Sequence, residues 1–180
     1  MQEVADGHWS PAVGPLVALA LGTGLRLGEM RALVWGPEGL DVDARAVQVH
    51  STLDRGRRLV PTKSRRSRVV PLGGELVGRL LRYRMATGRP ADGSFVFPTE
   101  HRRPWHQVRT EAGLPGLRVH DLRYTAATFW LAAGLTVHAV AELLGHTDAA
   151  LVLRLYGHAL PAERSTAAER LEAWRAAQRS

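Results

Sequence analysis

Apolar residues recur at helical spacing along most of the chain, and one central segment breaks that rhythm by alternating. After a loose lead-in over residues 1–10, the Val, Leu and Ala of residues 11–21 predict a helix buried on most sides, ended by Gly22 and Gly24. A second short helix is expected over residues 25–33. Between residues 42 and 71 the period changes. Ala46-Val47-Gln48-Val49-His50 alternates apolar and polar, Asp54-Arg55-Gly56 supplies a turn, and Arg58-Leu59-Val60 and Val69-Val70 supply further short strands. Helical spacing returns over residues 75–87, with Leu76, Leu80 and Tyr83 on one stripe, and again over residues 103–112, beyond a short buried segment at 94–98. A long helix over residues 119–133 is expected to bury Leu122, Ala126, Phe129 and Ala133. Gly134 ends it, Thr136 can cap a helix over 137–144, Gly145 closes that one, and residues 149–156 form the next. A last amphipathic helix over residues 162–178 puts Ala167, Leu171 and Trp174 on one side, to pack on its own domain or dock into a neighbouring subunit. The expectation is one domain over residues 1–180, mainly α with a small antiparallel three-stranded β-sheet (α+β), without linker, repeat or low-complexity segment.

A length of 180 residues and a hydrophobic fraction of 45% suit one domain with a real core. The absence of cysteine excludes disulfides, Fe–S clusters and cysteine zinc sites. The most apolar run, residues 15–21, is too short to span a bilayer and no signal peptide precedes it, so a cytoplasmic protein without a membrane partner is expected. Charge changes the picture more. A net +7 and a pI near 11.1 favour a polyanionic partner. Arginine supplies 23 of the 24 basic residues and Lys63 the other. A G+C-rich genome would bias cations toward arginine, so the imbalance need not be functional, but the single lysine raises the question of which task guanidinium does not perform, and that task is giving up a proton.

The residues that carry chemistry lie around that pattern. His120 and Arg123, three apart on a helix, project from one side, and His146 and Tyr156 follow at the ends of the next two helices. Upstream, Arg26 opens the helix after a glycine turn with Glu29 one turn on, which reads either as a surface ion pair or as an arginine aimed at an anion. The turn Thr62–Arg68 carries Lys63, Arg65, Arg66 and Arg68, either a solvated basic tip or a probe for a phosphate backbone. Singly, each residue has a duller explanation: Tyr156 packs, His146 caps. Together they suit phosphoryl transfer at a phosphodiester. Arginine forks match its non-bridging oxygens, a tyrosine can attack phosphorus, and Lys63 can protonate the leaving oxygen. No carboxylate cluster suited to magnesium or calcium stands out, so neither metal nor other cofactor is expected.

At Thr23-Gly24-Leu25-Arg26-Leu27-Gly28-Glu29, Thr62-Lys63-Ser64, His120-Asp121-Leu122-Arg123, Leu144-Gly145-His146 and Tyr156 the chain resembles the tyrosine recombinase (phage integrase) family, in the family's order and over nearly its whole length. The resemblance implies that fold for the catalytic domain, with double-stranded DNA as partner. Arg26 and Arg123 would clamp the scissile phosphate, Lys63 would be the general acid, and His120 a general base or phosphate ligand. His146 would hydrogen-bond the phosphate, Tyr156 would form a 3′-phosphotyrosyl link, and Glu29 would support Arg26. The helix after Tyr156 resembles the tail that family members exchange in a tetramer. Three features depart from the family. Tyr124 stands where many relatives carry histidine, with little effect expected, and the insertion after Trp35 is longer than usual. Only some ten residues precede the first helix, leaving no room for the usual N-terminal core-binding domain, as in an excised catalytic domain or a naturally short protein.

The main rival reads residues 137–156 as a helix-turn-helix, making the chain a non-catalytic DNA-binding regulator. That explains the charge but not Arg26, Glu29, Lys63, His120 or Arg123. A degenerate recombinase would retain fold and binding without turnover, although every expected side chain is present. A type IB topoisomerase shares the chemistry but not usually this spacing.

Overall fold

The computed structural model describes all residues except 8, 9, 55, 57, 63–66, 98–101, 147, 157–171, 173 and 177–180. Its first element is a helix where the sequence suggests a loose lead-in: α1 (Gln2–Asp6). Polar contacts secure it, because the Gln2 amide donates to Asp6 and to the Gly14 carbonyl and the Asp6 carboxylate pairs with Arg79. Helix α2 (Val13–Thr23) is buried on most sides, as its composition demands. It runs through Gly22 and stops only at Gly24, whose left-handed φ of 58° breaks the hydrogen-bond ladder. Helix α3 (Leu27–Ala32) follows after Gly24, Leu25 and an extended Arg26, in the place expected for it.

The sheet region differs from a simple meander. Strands β1 (Leu40–Asp41), β2 (Ala46–Val49) and β5 (Arg68–Pro71) form an antiparallel three-stranded sheet in the order β1-β2-β5. Strands β3 (Ser51–Leu53) and β4 (Leu59–Pro61) form a separate two-stranded hairpin. The stretch 46–53 thus serves two ladders in succession, Val47 opposite Val70 and Thr52 opposite Val60. Residues 62–67, with Lys63 among them, lie between the two returning strands. The apolar alternation correctly picks the buried face, Val47, Val49 and Val70. It does not reveal β1, which has only two residues.

Five helices complete the described chain: α4 (Gly74–Ala86), α5 (Arg102–Glu111), α6 (Val119–Ala132), α7 (Val137–Leu144) and α8 (Ala149–Tyr156). Thr136 caps α7 by accepting from the Ala139 N–H, as expected. Two buried clusters result. The larger gathers α1 to α5 and the sheet around Leu16, Leu19, Trp35 and Leu80, and takes Leu122 from α6. The smaller gathers Ala127 and Leu131 of α6 with Val140, Leu144, Val152 and Tyr156. Helix α6 therefore bridges both, and its buried arc is rotated from the expected stripe. Leu122 and Ala126 are buried, but Phe129 is 59% exposed and Ala133 is also exposed, while Arg123, Ala127 and Leu131 are inside. The second cluster pulls the 123-127-131 ridge inward, and Phe129 is left outside. Of the tail expected over residues 162–178, Glu172, Trp174, Arg175 and Ala176 are described, helical and exposed; the rest lies outside the described residues. Among the described residues no helix is long and apolar enough to cross a membrane.

Candidate active site

Arg123 stands on α6 where the two clusters meet, only 2% exposed. A buried guanidinium needs partners, and Arg123 finds two in backbone carbonyls freed by helix ends. Nη1 donates to the Gly24 carbonyl at 2.7 Å, just past α2, and Nη2 donates to the Leu144 carbonyl at 2.6 Å, at the end of α7. Nη2 also approaches Nε2 of His146 at 3.0 Å. Burial, and next the positive charge of Arg26, lowers the Arg123 pKa to about 10, so the side chain still carries its charge at neutral pH. Gly24 and Gly145 allow these carbonyls to sit where they do. Both adopt left-handed φ, and a Cβ on Gly24 would come within 2.9 Å of the Leu144 side chain.

His146 lies in the turn between α7 and α8. Burial first, then the charges of Arg123, Arg26 and Arg68, lowers its pKa to about 4. It is therefore neutral at pH 7, and accepting from Arg123 through Nε2 assigns its proton to Nδ1. His120, at the start of α6, is exposed; partial desolvation and the nearby Arg123, Arg26 and Arg118 lower its pKa as well. Its ring meets Tyr124 edge-on at 5.2 Å between centroids, and Tyr124 lies 5.7 Å from the Tyr156 ring. The substitution expected to matter little thus stands between the candidate base and the candidate nucleophile. Tyr156 ends α8 only 2% exposed, and burial raises its pKa against the lowering effect of Arg123.

Arg26 precedes α3 and keeps its side chain partly exposed. Glu29 accepts from its backbone N–H at 2.9 Å and from its Nη1 at 2.9 Å, which fixes both the helix start and the guanidinium. The pair is not one between two exposed side chains, since that of Glu29 is 2% exposed. Burial opposes ionisation there, but hydrogen bonds and charge from Arg68, then Arg26, prevail and hold the carboxyl below its usual range.

Arg68 is where the expectation fails. Its side chain is not a DNA probe on an exposed tip. It is 8% exposed, turned inward from β5 onto Glu29 through Nη1 at 3.2 Å and Nη2 at 2.7 Å. The alternation of strand residues could have signalled this, since Arg68 opens the strand whose Val70 is buried. Lys63, Arg65 and Arg66 lie outside the described residues. The described site therefore joins Arg26, Glu29 and Arg68 in one set of direct contacts and Arg123 with His146 in another, links His120 to Tyr156 through Tyr124, and couples Tyr156 electrostatically to Arg123.

The sequence profile of the phage integrase family matches residues 12–163. Among curated relatives, a XerC-like tyrosine recombinase of Caldanaerobacter subterraneus is 26% identical, the match covering 95% of this chain and 51% of that protein. The XerC tyrosine recombinase of a Mycobacterium species is 32% identical over 79% of this chain and 48% of its own length. The chain spans about half the length of the curated relatives it matches. Among solved structures, the catalytic domain of bacteriophage HP1 integrase superposes with a TM-score of 0.70 at 23% identity, over 93% of this chain and 87% of that one. The Tn1549 transposon integrase, solved with a circular intermediate DNA, gives 0.75 at 18% identity, over 96% and 62%.

Proposed function

The chain belongs to the phage integrase family, and from that premise we propose that it is the catalytic domain of a tyrosine site-specific recombinase, cleaving and rejoining DNA through a 3′-phosphotyrosyl intermediate. The observation that carries this reading is the buried, charged Arg123, held by the Gly24 and Leu144 carbonyls beside His146, with Arg26 and Tyr156 in electrostatic reach. These contacts leave part of its five-donor fork for an incoming anion.

In the proposed reaction Arg26 and Arg123 bind the non-bridging oxygens of one phosphodiester and stabilise the charge that builds on them. His120, neutral at pH 7, accepts the Tyr156 proton. The phenolate oxygen attacks phosphorus, the bond to the 5′-oxygen breaks, and Lys63 protonates that oxygen. A 3′-phosphotyrosyl bond and a free 5′-hydroxyl result. The bond energy is conserved, so a second 5′-hydroxyl reverses the step and rejoins strands. Tyr156, packed against Tyr124, has to move outward to reach a phosphate. Double-stranded DNA is the substrate, and a tetramer that exchanges the tail beyond Tyr156 would pair two sites. The helix-turn-helix reading finds α7, Gly145 and α8 in place but gives no use to the Arg26–Glu29 pair or to Arg123.

The test is covalent trapping on nicked suicide substrates, drawn from a random-sequence pool or from DNA flanking the gene, with Tyr156→Phe alongside. A protein–DNA band on a denaturing gel that disappears in the variant is expected. Loss of DNA binding in Tyr156→Phe, with no band from the unaltered chain, would favour the regulator.

A further inference from the structure

We propose that Arg68 is a positioning residue for the cleavage step, an internal strut that holds Arg26 and the His146 turn in register from the strand following Lys63. This deepens the recombinase reading and rests on it. Three contacts define the strut. The guanidinium grips both carboxylate oxygens of Glu29, through Nη1 at 3.2 Å and Nη2 at 2.7 Å. Glu29 in turn holds the backbone and the guanidinium of Arg26. Arg68 Nε donates to the Leu143 carbonyl at 2.8 Å, in the last turn of α7, next to the Leu144 carbonyl that holds Arg123. One side chain on β5 therefore touches the support of Arg26 and the residue adjoining a support of Arg123, although 39 residues separate it from Glu29 and 75 from Leu143.

The placement is specific to arginine. A planar fork meets a carboxylate with two parallel donors while the remaining Nε–H reaches a third acceptor; an ammonium cannot do both in one orientation. The neighbouring backbone is shaped around it. Gly145 has a φ of 66°, and a Cβ there would lie 2.9 Å from Arg68 Nη1. The glycine before His146 thus serves two needs, a helix end and room for the guanidinium. Charge balance favours the same placement. Glu29 is buried beside a site meant for an anion, and its negative charge would oppose phosphate if Arg26 alone balanced it. Arg68 supplies the second positive charge, so Glu29 can orient Arg26 without cancelling it. Arg68 sits at the C-terminal end of the stretch that carries Lys63, so the same strut anchors one end of that stretch against the two arginines.

The test compares Arg68→Met and Arg68→Lys with the unaltered full chain in single-turnover cleavage of a nicked suicide substrate at saturating DNA, alongside DNA affinity and melting temperature. Cleavage about 100-fold slower is expected for Arg68→Met and slower than wild type for Arg68→Lys, since displacement of about 1 Å can cost that much. DNA affinity should change less than about threefold, because the fork does not face the ligand. The rate is taken only from folded protein. Arg68→Lys, which keeps the charge, guards against a variant that fails to fold. Because part of the Arg68 effect runs through Glu29 to Arg26, it should be smaller in an Arg26→Ala background than in the unaltered chain, with the part that runs through the Leu143 carbonyl remaining. A melting temperature that falls while folded protein cleaves at the unaltered rate would make Arg68 a plain structural pair and overturn the role. Full additivity with Arg26→Ala would overturn it too. An unaltered chain that forms no Tyr156-dependent adduct would bring down the recombinase reading itself.

Discussion

His146 shows how far one side chain can be read from its surroundings. Burial and three neighbouring arginines bring its pKa to about 4, below the ordinary 6.5 that the unfolded chain retains. Between those values the unfolded chain binds the extra proton, so stability falls as pH drops from about 6.5 toward 4. His120, lowered in the same direction, adds to the loss. Glu29 acts in a separate window. Its depressed pKa contributes stability that is present above the ordinary 4.5 and lost only as pH falls through the folded value. Urea unfolding between pH 7 and 5 isolates the histidines. The midpoint should decline on acidification, and His146→Gln should flatten that decline whatever it does to stability at pH 7. Parallel curves for the two proteins would mean that His146 is protonated alike in folded and unfolded chains.

At the scale of elements, the second core cluster makes a prediction that hydrophobicity alone would reverse. Phe129 is the larger apolar group on α6, yet it is 59% exposed, whereas Leu131 is 1% exposed against α7 and α8. Phe129→Ser should change stability by no more than about 0.5 kcal/mol, while Leu131→Ala should cost about 2–5 kcal/mol, both by urea unfolding. Equal losses would place Phe129 in the core. The helices themselves were legible, because periodicity, the Thr136 cap and the Gly134 and Gly145 stops all act within a few residues. The face that α6 buries was not, because two clusters compete for it and the second exists only once α7 and α8 have folded back. The same limit explains Arg68. A basic residue beside Arg65 and Arg66 reads as surface until Glu29 and Leu143 arrive from distant parts of the chain. Helix α1 escapes the sequence for another reason: in five residues it buries only Ala5, with Val4 beside it, too little for an apolar period, and its polar support from Arg79 and Gln2 comes from contacts the spacing does not show. Arg26, Arg123, His146 and Tyr156 were legible as a set, but the carbonyls of Gly24 and Leu144 that hold Arg123 carry no side-chain signal at all.

Across the whole molecule, the net charge of +7 is divided between cations that are spent internally and cations that are free to meet a phosphate backbone. Arg68 belongs to the first group, paired with Glu29, and Arg123 is half in each, tied to carbonyls but keeping part of its fork. Arg65 and Arg66, which lie in sequence between β4 and β5, are proposed for the second. Counterion release distinguishes the groups, because only cations that neutralise phosphates add to the salt dependence of binding, by about 0.9 in slope for each on duplex DNA. Affinity for the same duplex without the nick, measured over a range of salt in the Tyr156→Phe background so that binding stays reversible, should therefore respond unequally to substitution. Arg65→Gln together with Arg66→Gln should reduce the slope of log affinity against log salt by roughly 1.8, each contributing about 0.9. Glu29→Gln, which leaves Arg68 and Arg26 without their counter-charge, should steepen the slope or leave it as it was. Arg68→Lys should leave the slope unchanged while slowing cleavage. A slope that Arg68→Lys leaves alone and the Arg65 and Arg66 pair cuts would separate the strut from the DNA-facing charge on one short stretch of chain. A slope that drops by about one in Arg68→Met and is untouched by the other two would mean the guanidinium leaves Glu29 for phosphate when DNA binds.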